Sequence, residues 1–142
     1  MSTGKRKRQA RFIEAARADI GRLAADDPRL ASVALRMVRD LEAGVVDGAP
    51  LSAMAATGDL RDCRKLYFGH GNPPSHRIVY RVDEADRSVE ILEVVAVEER
   101  SELYVYLLAA QRLGRLPVES KRRFNRLHQQ AILRRSSRGR GR

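Results

Sequence analysis

The sequence predicts an α+β fold: an N-terminal helical hairpin packed on a small antiparallel sheet, then a further core helix and a basic C-terminal extension. Three observations predict it. Apolar residues recur at helical spacing through the first third of the chain, three strand-like runs joined by short polar links follow, and from residue 115 onward arginine dominates. At 142 residues the chain has room for one domain and one core.

The elements follow in order. Phe12, Ile13, Ala16, Ile20, Leu23 and Ala24 mark a first helix, which Asp26-Asp27-Pro28 interrupts. Asp27 suits an N-cap and Pro28 the first helical position, so a second helix starts there. Its stripe is Leu30, Val33, Ala34, Met37, Val38 and Leu41, and Gly44 ends it. Both helices read as core, with no chemistry of their own. Residues 45–60 are rich in Gly, Asp and Ala and read as a connector. Strands are expected at Cys63–Phe68, Arg77–Val82 and Val89–Val97, linked by the turn-rich stretch 69–75 and the polar turn 83–87. Short links between consecutive strands favour an antiparallel meander. Ser101 is placed to cap a last core helix through Leu103, Leu107, Leu108 and Leu113, stopped by Gly114. Beyond Pro117 a basic helix is expected, with Phe124, Leu127 and Ala131 on one side. Residues 136–142 have nothing to bury and read as disordered. The domain organisation is thus a basic arm over 1–10, reaching into the start of a first strand, a globular domain over 11–114 and a basic extension over 115–142.

Net charge is +10, from 28 basic and 18 acidic residues, which points to an anionic partner. Residues 1–8 carry +4 and residues 115–142 carry +9, which leaves −3 for the stretch between. Attraction to nucleic acid therefore comes from the arms or from a local patch on a mildly acidic body. Arginine far outnumbers lysine, a bias that a GC-rich genome produces without selection for guanidinium chemistry. The one cysteine, Cys63, excludes an internal disulfide and a cysteine-based zinc site, and reads as a small buried residue. His70 and His76, with no acidic cluster, make no metal site. No apolar run is long enough to cross a bilayer, and no apolar region follows the N-terminal charges as in a secretory signal. A cytoplasmic location is expected, with no membrane contact.

Side chains alternate across a strand. Leu66 and Phe68 share one face with Ile78, Tyr80 and Val82 if these pack on the helices. Lys65, Tyr67, Arg77 and Arg81 then share the other, open face. Cations beside an aromatic ring can hold phosphates and stack an unpaired base; a solvated sheet face carries such residues too.

Three segments, Asp62-Cys63-Arg64-Lys65-Leu66-Tyr67, Arg77-Ile78-Val79-Tyr80 and Glu99-Arg100-Ser101-Glu102-Leu103-Tyr104, come in an order and at spacings that resemble the central signature of the RelE/ParE toxin superfamily. The resemblance covers roughly residues 59–113, and the helical hairpin sits where that family has one. It implies the toxin half of a toxin–antitoxin pair. RelE-like members cut mRNA in the ribosome without metal or cofactor, by driving the ribose 2′-OH onto the adjacent phosphate. That chemistry needs a proton acceptor, cations around the phosphorane and a proton for the leaving 5′-oxygen. Carried over by position, the catalytic residues are Lys65 (base or phosphate neutraliser, its pKa lowered by Arg77 and Arg81), Arg77, Arg100 and Tyr104. Tyr67 and Arg81 become substrate-binding residues, and His76 and Glu98 candidates for general acid or base. Two positions depart from the RelE pattern: Tyr67 stands where a second lysine is expected, and Glu98 where an arginine is. The implied partners are a cognate antitoxin, acidic and partly disordered, and the ribosome with its mRNA. Two alternatives stay open. ParE relatives share the fold but act on DNA gyrase, and a catalytically inactive relative would bind RNA or antitoxin only.

Overall fold

The computed structural model describes residues 7–83, 89–99, 101 and 103–140, with side chains through residue 136. The element order is β1 (Lys7–Phe12), α1 (Glu14–Asp26), α2 (Pro28–Glu42), β2 (Ala49–Pro50), β3 (Ala53–Met54), β4 (Gly58–Asp59), β5 (Cys63–Phe68), β6 (His76–Asp83), β7 (Val89–Glu99), α3 (Tyr104–Arg112), a 3-10 turn at Val118–Ser120 and α4 (Lys121–Arg140). The fold is α+β, with the helical hairpin at the N-terminus and a five-stranded sheet ordered β1-β7-β6-β5-β2.

The hairpin forms as its sequence dictates. The Asp27 carboxylate accepts from the Leu30 amide at 3.2 Å, and Pro28 opens α2, satisfying an amide that has no partner within the helix. Gly44 lies just past the end of α2 at φ 74°, a conformation that costs glycine little. β5, β6 and β7 pair antiparallel as a meander. Leu66, Phe68, Ile78 and Tyr80 pack with Leu30, Ala34, Val38 and Leu41 of α2, the face expected from alternation.

β1 starts in the basic arm, where a strand was expected to begin, and runs past residue 10. Phe12 belongs to this strand and not to the first helix; β1 runs parallel to β7 in the register Lys7↔Val89 to Phe12↔Val94. Parallel neighbours need a long crossover, and here nearly the whole domain is that crossover, so nothing local in the sequence reports it. Arg8 secures the strand through ion pairs to Asp47 (2.8 Å) and Glu90 (3.3 Å). The sheet is therefore mixed.

The stretch 45–60 is more than a connector. Its β2 adds an edge strand to β5, and β3 and β4 pair with each other. Gly48 is essential here: its amide donates to the Tyr80 hydroxyl at 2.8 Å, and a Cβ would lie 2.8 Å from both that oxygen and the Lys65 carbonyl. Gly48→Ala is expected to lower stability by about 1–3 kcal/mol through overpacking, read as a fall in the urea midpoint at unchanged slope.

β7 is apolar on both faces, and a bulge explains it. Val79 pairs with Ala96 but Tyr80 with Val94, leaving Val95 extra. Val94 and Val97 thus face the hairpin, while Val95 and Ala96 face α3 and α4. This second core joins Cys63, Val79, Tyr104, Leu107, Phe124, Leu127 and Ala131. The sheet face expected to be open is largely roofed by α3 and α4. Ser101 contributes its backbone carbonyl, not its side chain, to the start of α3 (2.8 Å from the Tyr104 amide). The helix of the extension runs to Arg140. No helix among the described residues is long and apolar enough to cross a membrane.

Candidate functional site

Alternation along β5 sends Lys65 and Tyr67 to the α3 side of the sheet, where Tyr106 from the first turn of α3 meets them. The Lys65 ammonium lies 5.4 Å from the Tyr67 ring centroid and 5.6 Å from that of Tyr106. Arg77, opposite Tyr67 in the β5–β6 register, lays its guanidinium carbon 3.9 Å above the Tyr67 ring. Its Nη1 donates to the carbonyls of Pro74 (2.6 Å) and His76 (3.0 Å). Arg77 is only 5% exposed whereas Tyr67 is 42% exposed. The result is a buried cation beneath an exposed phenol, with a second cation between two phenols. Tyr106 was not legible as a site residue, because its place depends on how α3 docks.

Protonation at this cluster reverses one expectation. The Lys65 pKa is raised, above all by the neighbouring Tyr67 hydroxyl, while burial opposes this. The net direction is up and not down as expected from Arg77 and Arg81, so Lys65 stays an ammonium. The Tyr67 phenol is pulled down by the neighbouring Lys65, against burial, and further by the charges of Lys65 and Arg77.

The remaining predicted residues lie elsewhere. Arg81 sits toward the far end of β6, bound to Glu93 (3.2 Å) and Asp83 (3.3 Å), so it does not join Arg77. Arg100 lies outside the described residues. Tyr104 is 1% exposed; its hydroxyl bonds His128 Nδ1 at 2.8 Å and its ring stacks on Phe124 at 6.3 Å between centroids. It holds α4 to α3 and offers no surface to a substrate. Burial raises its pKa. His76 lies on the hairpin face, its ring 5.3 Å from Phe68 and its Nδ1 2.7 Å from Ser75 Oγ.

Glu98 is nearly enclosed and pairs with Arg135 of α4 at 2.6 Å. Burial raises its pKa, and Arg135 works against that rise. Glu98 and His76 both line a cleft of about 250 Å³ between α1, the end of β7 and α4, together with Asp19, Glu99 and Arg134. Cys63 is fully buried, and burial first of all pushes its thiol up to about 12, so it is no nucleophile. Among the described residues no three His, Cys, Asp or Glu side chains gather closely enough to hold a metal ion.

Comparison with known proteins bears on the fold. No family model matches the chain, and no curated protein sequence matches it. Among solved structures, the chain is similar to a YoeB/ParE toxin from Agrobacterium tumefaciens, at 20% sequence identity and a TM-score of 0.50. The match covers 66% of this chain and 99% of that one, so about a third of the present chain lies beyond the shared region. At this identity the likeness is one of fold alone, and it takes in nearly the whole of that structure, with additional residues in the present chain.

Proposed function

We propose that the chain is the toxin of a toxin–antitoxin pair and cuts mRNA on the ribosome, without metal, by attack of a ribose 2′-OH on the adjacent phosphate. The fold likeness supports the toxin assignment. The observation that carries the chemistry is the cluster of Lys65, Tyr67, Arg77 and Tyr106, which sets a cation beside an exposed aromatic ring that lies over a second, buried cation. Lys65 supplies positive charge that a phosphorane requires, Tyr67 offers a stacking face for an unpaired base, Arg77 holds that ring from beneath, and Arg100 remains an expected further cation. The reaction products are a 2′,3′-cyclic phosphate and a 5′-hydroxyl. Incubating the full chain with ribosomes that hold a defined mRNA codon in the A site tests this; cleavage at that codon supports the reading, and intact mRNA overturns it.

The roles given to Tyr104, Glu98 and His76 by resemblance have no support in their placement. That favours one second reading, a relative that binds RNA or antitoxin without cutting. Growth arrest with intact mRNA would support neither and would point to another target, such as gyrase.

The extension fits the ribosomal partner. α4 contains eight basic residues and no acidic one, and Phe124, Leu127 and Ala131 fix its inner face. Arg122 and Arg126 are exposed on the outer side, one helical turn or about 6 Å apart along the axis. Changing both to Gln is expected to weaken ribosome binding and to make its logarithmic salt dependence shallower by about 0.7–0.9 for each phosphate no longer neutralised. The acidic antitoxin is proposed to meet the same charge.

A further inference from the structure

The proposed reaction needs a proton acceptor, and the groups that the sequence suggests for it are each compromised. Lys65 is held as an ammonium by its tyrosine neighbours. Glu98 is enclosed and paired with Arg135. The Nδ1 of His76 is engaged with Ser75, and its ring lies against Phe68, on the opposite sheet face from Lys65. Tyr104 is in the core. One acid–base group in the cluster is both exposed and flanked by two cations.

We propose that Tyr67 is the general base of the cleavage reaction and Lys65 the general acid, the two forming one proton-sharing pair. The inference rests on the nuclease reading. Its geometric ground is the Arg77 guanidinium stacked at 3.9 Å on one face of the Tyr67 ring and the Lys65 ammonium beside it at 5.4 Å. Cations in those positions stabilise a phenolate more than a phenol. The charged or titratable groups that act on Tyr67 are Lys65 on its own strand, Arg77 on β6 and Tyr106 on α3. Glu98 on β7 is turned to Arg135.

The step balances within the pair. The Tyr67 phenolate takes the proton of the 2′-OH, the 2′-oxygen forms a bond to phosphorus, and the bond from phosphorus to the 5′-oxygen breaks. Lys65 gives its proton to that leaving oxygen. The site then holds a phenol and a neutral amine, and the proton returns from Tyr67 to the Lys65 amine beside it, 5.4 Å from the ring centroid, regenerating phenolate and ammonium. No water, metal or oxidant is consumed. Arg77, buried beneath the ring, acts through Tyr67 as a positioning residue.

A phenol has a higher ordinary pKa than physiological pH, so most of the site rests in the phenol form and the rate climbs with pH. It falls again when Lys65 loses its proton.

The experiment measures single-turnover cleavage of A-site mRNA on programmed ribosomes across a pH series, using the full chain. Three proteins are compared: wild type, Tyr67→Phe and a chain carrying a fluorinated, more acidic tyrosine at 67. Tyr67→Phe is expected to cut about 10²–10⁴-fold more slowly and to lose the rising limb. The fluorinated residue is expected to move that limb to lower pH. Tyr67→Phe keeps the ring at an exposed position, and an unchanged melting curve establishes that it folds. Cleavage by Tyr67→Phe within a few-fold of wild type, or a rising limb that ignores fluorination, overturns the assignment while leaving the nuclease reading intact. A wild type that cuts nothing overturns both.

Discussion

Asp19→Ala is expected to destabilise the fold by about 3–5 kcal/mol, the cost of leaving a buried charge without its partner. The Asp19 side chain is fully buried on α1. Its carboxylate accepts from Arg112 of α3 (2.6 and 2.9 Å), from the Val97 amide (2.9 Å) and from Arg22. β1 pairs with β7 only as far as Val94, where the Ile13 amide meets the Val94 carbonyl at 3.1 Å and the chain turns into α1. The remaining edge of β7 needs other partners. Asp19 supplies the acceptor for Val97, and Arg112 the donor for the carbonyl of the bulged Val95 at 3.0 Å. One ion pair thus closes the sheet edge and ties the helices of its two faces together. Denaturant unfolding of Asp19→Ala and Arg112→Met, singly and combined, measures this. The double variant is expected to lose much less than the sum of the singles, since the pair acts as a unit. A loss below about 1 kcal/mol for Asp19→Ala would mean the pair is solvated and the edge is satisfied some other way.

Arg77→Lys is expected to cut the cleavage rate by about 10²-fold or more, although it keeps the charge. Arginine is planar, stacks on aromatic faces and carries several donors in a fixed fork. At position 77 it uses that geometry, lying on Tyr67 while bonding two carbonyls of the 74–76 segment. A lysine ammonium is a point charge on a flexible stem and cannot do both. If Arg77 acts through Tyr67, Arg77→Lys also moves the rising limb of the pH–rate profile to higher pH, because the phenolate loses its stacked cation. An unchanged limb with a lower plateau would place Arg77 on the phosphate instead. Stability falls as well, by about 1–3 kcal/mol for a carbonyl left unpaired.

Much of the architecture was legible where the physics is local. The α2 stripe from Leu30 to Leu41, its cap at Asp27 and the Gly44 stop depend on neighbours within one helical turn. The alternation of Leu66 and Phe68 against Lys65 and Tyr67 needs no more than the pleat of one strand. The illegible parts were set by partners far along the chain. β1 reads as polar sequence ending in two helical-looking residues, Phe12 and Ile13, and becomes a strand because β7 lies beside it. The β7 bulge is invisible in a run where every residue is apolar. Docking of α3 and α4 converts the open face into a second core, and with it removes Tyr104 from the surface, places Tyr106 beside Lys65 and gives Glu98 its partner in Arg135. Alternation put Arg77 and Arg81 on one face, but their distance along β6 and the local acids Glu93 and Asp83 keep Arg81 out of the site. The sign of the Lys65 shift was hidden for the same reason: the nearby arginines are plain in the sequence, while the approach of Lys65 to Tyr67 and Tyr106 exists only in space.

The most direct measurement is the mapping of mRNA 5′-ends in cells during induced expression of the full chain, beside an Arg77→Ala/Tyr67→Phe variant of equal abundance. Growth arrest with new in-frame cuts that vanish in the variant is the predicted result. Arrest with an unchanged 5′-end map, or cuts that persist in the variant, would contradict a nuclease centred on Lys65, Tyr67 and Arg77.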